Sequence, residues 1–456
     1  MDARRWIGRG IGAAAAGGLA LAVAACSPQP AGPPQPQSTG APTPVPATDA
    51  VLSLPKDMYL HLGAPSEWWW NIGTLRSGDR IFGFEINAAA FPVNGWAFTQ
   101  IMLTDVESGK HYQATTPYLP PGNWDPQHWA ESDPSKDWRA VLGDPGNALG
   151  GIHVTNPGSG YSGTPAVTIT GDGHGASAIA TVGADGGISQ IVVVNPGSGY
   201  TSPPEIAIGG TGTGATAAAY SSFVSMSAPA GDPTQDISTE AQFSDEATLT
   251  PVAFDLAESE VGDPFMVWGT GVNSTDPALD LQQKNYYFSL TRLATSGTIT
   301  LDGETIPVTG ETWMDHEYGV FGTSANPVKW NLVDMQLDNG WTMSTFFTVS
   351  AGQIPPEGEP HESFTTLQSP DGEMYYVASD LTPLGPMWTS AMSGDSYYTG
   401  MRVRIPLFDA ELTATARVDG QEFPVVGSPV YEGIGGVDGT FEGVAVTGDG
   451  WIEQAH

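Results

Sequence analysis

Large apolar residues recur at every second position in short runs along this chain. Phe82, Phe84 and Ile86 alternate with Gly83 and Glu85, and similar runs appear at Trp96 to Leu103, Tyr286 to Leu290 and Trp330 to Leu337. A two-residue period is that of a strand with one buried face, and no long stretch has helical period. Asp338-Asn339-Gly340 lies between Leu337 and Trp341, and Asn-Gly between apolar runs is a strong hairpin signal. With Gly 58 and Pro 38 punctuating these runs, the pattern predicts an all-β protein built as barrels or sandwiches.

One segment departs from that pattern. Asn156-Pro-Gly-Ser-Gly-Tyr161 returns as Asn195-Pro-Gly-Ser-Gly-Tyr200, and Gly173-His-Gly-Ala176 returns as Gly212-Thr-Gly-Ala215, both at an offset of 39 (195 − 156 and 212 − 173). A fixed offset signals a duplicated supersecondary unit, so a small glycine-rich β-module is expected over 150–221, a passive insertion in a surface loop. Its Gly-rich turns are no phosphate loop, because no Gly-Lys-Ser/Thr follows and no helix is predicted after them.

The start of the chain speaks to compartment. Arg4, Arg5 and Arg9 precede an apolar, small-residue run from Ile11 to Ala25, too short to span a bilayer and typical of an export signal. The run closes on Val23-Ala24-Ala25-Cys26, which resembles a bacterial lipobox. Cys26 is the only cysteine, so lipidation there is expected and intrachain disulfides are excluded. Residues 1–26 thus read as a lipoprotein leader, and the Pro-, Gln- and Thr-rich 27–51 as a flexible tether with little apolar surface to bury. An exported envelope protein held to the membrane by its lipid is the expected outcome. The formal charge of −35, with three of 15 basic residues in the leader, argues against nucleic acid as a partner.

Two segments of the body resemble a known family. Glu67-Trp68-Trp69-Trp70-Asn-Ile-Gly73-Thr-Leu75, with His61 upstream, is similar to a segment near the start of the carotenoid 1,2-hydratase (hydroxyneurosporene synthase) and AttH-like family. Gly310-Glu-Thr-Trp313-Met-Asp315-His316-Glu317-Tyr318-Gly319, followed by Trp330 and Leu337-Asp-Asn-Gly340, resembles that family's Trp-Met-Asp-His/Arg-Glu block and the strand after it. The run Gly433 to Gly443 sits where members have a short terminal strand. The resemblance spans about 52–149 and 222–456 and implies two lipocalin-like antiparallel barrels, 52–149 plus 222–322 and 323–456, handling an apolar isoprenoid, polyene or lipid. Family members differ in reaction, so the shared fold does not fix the chemistry.

The same residues have a physical reading of their own. In a strand through 313–318, Trp313, Asp315 and Glu317 share one face, and Met314, His316 and Tyr318 the other, with the two carboxyls about 7 Å apart. Inside a barrel lined by Trp, desolvation and like charge raise a carboxyl pKa. A carboxylic acid kept neutral near pH 7 can protonate an alkene, and indole faces stabilise the carbocation that water then captures. Asp315 or Glu317 is the expected acid, with His316 orienting a carboxylate or water. Trp313 and Trp68 are the expected cation-stabilising walls, and Trp70, Tyr318 and Trp330 line the ligand. The bland alternative is a hydrogen-bonded Asp-His-Glu cluster that closes one barrel against the next.

Other chemistries find less support. The chain lacks a Gly-x-Ser-x-Gly elbow and a His-Glu-x-x-His pair, and no nucleotide, flavin or haem motif appears, so neither a metal nor another cofactor is expected. Glu357, Glu359, His361 and Glu362 read as a solvated acidic loop. Two functions of different class therefore stand: a hydratase, and a non-catalytic lipocalin-type carrier. They part on whether Asp315 and Glu317 face a ligand-sized cavity or are sealed by protein.

Overall fold

A computed structural model of the chain describes residues 34–321, 329–349, 356–425 and 428–455; the leader with Cys26 lies outside the described residues. Apart from short 3₁₀ turns, every regular element among them is a strand, and the strands outside the repeat segment form two barrel-like antiparallel sheets. The first runs in the order Lys110–Tyr118, Trp96–Asp105, Arg80–Phe91, Ser66–Ser77, Glu304–Gly319, Asn285–Leu301, Pro251–Glu260, Ile237–Ser244, Phe223–Ala228, Trp138–Gly143. The second runs Ala410–Ala416, Ser396–Ile405, Met374–Thr389, His361–Gln368, Thr342–Val349, Lys329–Leu337, Val444–Ala455, Ser428–Phe441, Glu422–Val425. It closes on itself where Ala410–Ala416 also pairs with Ser428–Phe441. The Asn-Gly hairpin forms as expected, with Gly340 at φ +90° and the Leu337 amide donating to the Trp341 carbonyl at 2.9 Å.

Each sheet surrounds its own apolar core. Phe82, Phe84, Ile86, Trp69, Phe288 and Met314 fill the first, and Val333, Met335, Leu367, Met401 and Ile452 the second. The alternation predicts one buried face per strand, yet Arg80–Phe91 and the last residues of Glu304–Gly319 are buried on both. The reason is that the two barrels pack flank to flank. Ile72, Met102 and Trp313 of the first meet Phe423, Ile434 and Trp451 of the second. The approach is close enough that a Cβ on Gly83 would lie 2.6 Å from Ile434 Cγ2. Along this seam Arg76 and Arg417, one from each barrel, grip opposite oxygens of Asp449 at 2.7 and 2.8 Å.

The repeat segment forms a four-stranded and a two-stranded sheet around Leu149, Ile152, Tyr161, Ile191 and Tyr200. Its glycines have a packing cause. A Cβ on Gly173 would meet the Tyr200 ring at 2.5 Å, and one on Gly212 the Tyr161 ring at 2.4 Å, so each unit's tyrosine lies on the other unit's glycine. The segment enters and leaves between Trp138–Gly143 and Phe223–Ala228, which pair with each other from Gly143↔Phe223 onward. Its polar ties to the first barrel include Thr116 with Tyr220 and Asn123 with the Val193 carbonyl. Replacing 145–221 by a short turn is therefore expected to leave a cooperative melt of the barrels and a Tm lower by only a few degrees. A chain that no longer melts cooperatively by near-ultraviolet dichroism would show the insertion to be structural.

The expected tether is seated from Pro34 onward. Gln37 donates to the Tyr376 carbonyl and accepts from the Ala378 amide, both at 2.9 Å, and the Val45 amide donates to Met374 at 2.7 Å. Strand Met374–Thr389 pairs with Ser396–Ile405 only from Asp380 onward. Its first residues offer unpaired backbone groups, and an extended Pro-rich segment can satisfy these without an apolar face of its own.

Candidate functional site

Two motif segments distant in sequence lie side by side. Ser66–Ser77 pairs with Glu304–Gly319 so that Trp68 faces Glu317, Trp69 faces His316 and Trp70 faces Asp315. On the other side Asn285–Leu301 sets Tyr287 against Glu317 and Ser289 against Asp315. Because the pleat alternates, Trp68, Trp70, Asp315, Glu317 and Tyr287 all point outward from the first barrel, toward the second. The carboxyls thus face the seam between barrels rather than a barrel interior.

A cavity of about 360 Å³ opens in that seam. Trp68, Trp70, Phe91, Phe98, Trp268 and Tyr287 line it from the first barrel and Trp330, Leu332 and Phe346 from the second. Asp315, Glu317, Glu453, Asn285 and Lys329 supply the polar groups. Of the expected aromatic wall, Trp68, Trp70 and Trp330 are in place. Trp313 shares their face but sits deeper, among Ile72, Phe423 and Trp451, and touches the site only through its indole N–H.

The carboxyls are held in different states. Burial pushes Glu317 up to about 8; the Asn285 amide donates to it and partly offsets that, while the neighbouring Asp315 and Glu453 raise it further. Burial also raises Asp315, but only to about 6, since Ser289, the Trp313 indole at 2.7 Å and Tyr287 stabilise its anion. Glu453 is raised by burial and by Asp315, with the Trp330 indole donating at 3.1 Å. Further along the seam Asp334, Glu432 and Glu85 are pushed well above the ordinary carboxylate range, again first by burial. The Glu85 oxygens have no hydrogen-bond partner; Trp70 lies near enough to oppose the shift but outside bonding geometry. So many carboxyls cannot all ionise in one dry interface, and they share protons.

His316 and Tyr318 do not reach the cavity. The pleat that turns Asp315 and Glu317 outward sends these two into the first barrel's core, where Trp69 stacks on His316 at 4.4 Å. His316 Nε2 lies 3.1 Å from Glu67, and His61 bridges Glu67 at 2.9 Å and Asp57 at 3.2 Å. Tyr318 stacks on His61 at 3.5 Å. Burial opposes a charge on His61, but its bonds to Asp57 and Glu67 outweigh that and push it up to about 9. Burial keeps His316 below its usual value. His316 therefore contacts Glu67, and not Asp315 or Glu317 as expected. Ligand atoms of His61, Glu67 and His316 lie within 4.8 Å of one another, a spacing suited to a metal ion. The chain Asp57–His61–Glu67–His316 accounts for that spacing by hydrogen bonding, and it ends at His316 Nδ1, which is buried without a partner among the described residues.

Sequence reasoning missed Glu453, Asn285, Tyr287 and Trp268. Tyr287 and Asn285 carried a usable signal, since they lie on the alternate face of a strand already read from Tyr286 to Leu290. Glu453 had only the alternation Trp451-Ile-Glu453 in an ordinary closing strand.

Among solved structures the fold is similar to that of an AttH protein from Nitrosomonas europaea, with TM-score 0.55 and 18% identity over 90% of this chain and 98% of that one. It is similar also to kievitone hydratase from Nectria haematococca, with TM-score 0.54 and 13% identity over 93% and 98%. At these identities the likeness speaks to the fold. No curated protein matches the chain. The profile of the AttH-like family matches residues 214–455, more than half of the chain and including Trp313 to Gly319 and Trp330, and by that match the chain belongs to the AttH-like family.

Proposed function

We propose that this protein takes an apolar, unsaturated molecule, an isoprenoid, polyene or lipid, into the cavity between its barrels and adds water across a C=C bond. One observation supports this above the rest: Glu317, buried and raised to about 8, lines an aromatic cavity large enough for a ligand. Its volume is at the small end of ligand pockets, so a long polyene would place only its terminus inside.

In this reading neutral Glu317 gives its proton to one alkene carbon, and the positive charge left on the other is stabilised by the faces of Trp68 and Trp330. Water attacks that carbon as Asp315, the more readily ionised carboxyl, accepts its proton. Return of a proton from Asp315 to Glu317 through the shared carboxyl set restores both groups, and the balance is alkene plus water to alcohol. Glu453, brought in by the second barrel and itself pushed up to about 8, belongs to the same proton-sharing set and opposes ionisation of Glu317 beside it. A hydratase shares the fold, but the reading rests on these carboxyls. We place the protein in the cell envelope, exported and tethered through lipidated Cys26, with no nucleic-acid partner.

The carrier reading keeps one point in its favour: Asp315 and Glu317 each have protein hydrogen-bond donors and need no substrate to be satisfied. Native mass spectrometry of the chain incubated with envelope lipid extract separates the two. The expected result is a retained apolar ligand that gains one water on wild type and not on Asp315→Asn. An unchanged ligand on both proteins would make this a carrier, and no ligand on either would remove the apolar-site reading.

A further inference from the structure

Beside the cavity wall, Arg80–Phe91 and Trp96–Asp105 meet in a hairpin. From Glu85 to Asp105 no intervening residue is charged, in a chain of formal charge −35. The tip is Pro92-Val93-Asn94-Gly95. Val93 is 66% exposed, and the amides of Asn94 and Gly95 are already satisfied by the Phe91 carbonyl at 2.9 Å. Behind it the rings form a ladder. Trp96 stacks on Phe91 and on Phe98, both at 5.2 Å, and Phe91 lies 6.0 Å from Trp68, which lines the cavity.

We propose that this hairpin docks the protein on a bilayer with zwitterionic headgroups, so that the cavity's ligand passes from the acyl phase along the ring ladder rather than through water. The proposal rests on the apolar-ligand reading of the cavity. An uncharged turn that exposes a valine and backs it with a half-buried tryptophan suits the boundary between headgroups and acyl chains. Charge selects the lipid: a chain this acidic is repelled by an anionic surface, and the tip offers no cation to reverse that. The chain's other end agrees. Pro34, where the described fold begins, lines a groove together with Trp268, which is also a wall of the cavity. Cys26, the expected lipid attachment, is eight residues upstream (34 − 26), a reach of at most about 28 Å.

The test uses the whole chain with Cys26→Ser and a single new thiol carrying an environment-sensitive fluorophore, at Val93→Cys or, as control, at Val444→Cys. Val444 is 64% exposed at the start of strand Val444–Ala455 in the second barrel. With phosphatidylcholine vesicles, emission at position 93 is expected to shift to the blue and to be quenched by spin-labelled lipid, with no change at position 444. Adding phosphatidylglycerol is expected to weaken the response. An unchanged probe at 93 on a chain that sediments with vesicles, an equal shift at both positions, no vesicle binding at all, or a stronger response to phosphatidylglycerol would each overturn the proposal. None of these readouts needs turnover, so failure here is distinguishable from failure of the hydratase reading.

Discussion

Glu317→Gln is expected to lower water addition by about 10²–10⁴-fold while the ligand is still retained, because the amide keeps the shape of the acid and loses only its proton. The pH profile carries the sharper signature. The donor works protonated, so the wild-type rate should fall as pH rises through about 8, where Glu317 ionises. Asp315 works ionised, so the rate should also fall as pH drops through about 6. The two limbs belong to the coupled carboxyl set as a whole, and the expected curve is a bell between them. Single-turnover product formation, followed by mass spectrometry from pH 5 to 9.5, measures it. In Glu317→Gln the residual rate should lose its alkaline limb. A variant with wild-type rate and both limbs intact would remove Glu317 as the donor.

What could be read from the chain follows from what alternation encodes. The period of two places Trp313, Asp315 and Glu317 on one face and His316 and Tyr318 on the other, and Trp68 and Trp70 apart from Trp69; the pleat keeps both divisions. Alternation gives two faces without saying which is the interior. Here the polar, catalytic-looking face is the outer one, and it is buried only because a second barrel covers it. Glu453 escapes such a reading for that reason: its place at the site depends on the pairing of Val444–Ala455 with Lys329–Leu337, strands far apart in sequence. The expected tether illustrates a second limit. Composition gives residues 34–50 little apolar surface, but it is silent on an open strand edge elsewhere that holds them by backbone bonds, with Val45 packed against the cluster around Trp268 and Tyr376.

The acidic seam also sets how stability depends on pH, and the expected effect is large. Asp315, Glu317, Asp334, Glu432, Glu453 and Glu85 all have folded pKa values above their unfolded ones. Between those values the folded chain binds more protons than the unfolded one, so stability must fall as pH rises from about 4.5, and the loss through Glu317 alone is complete above about 8. A shift of that size corresponds to a loss on the order of several kcal/mol, reduced where water enters the seam as it charges. His61 acts in the same direction, since its folded value of about 9 exceeds the unfolded one. Glu67, Asp57 and Asp105 act oppositely, because their values are lowered and their contribution vanishes only at more acid pH. The Tm is therefore expected to peak near pH 5 and to drop by roughly 5–10 °C by pH 9. The double variant Glu432→Gln, Glu453→Gln cannot ionise at these cross-strand neighbours and should melt above wild type at pH 9 while matching or falling slightly below it at pH 5. Calorimetric scans across that range decide the matter. A wild-type Tm that holds or rises from pH 5 to 9 would mean that the seam admits enough water to carry these charges, and with that the dry, proton-sharing site on which the acid chemistry depends would be gone.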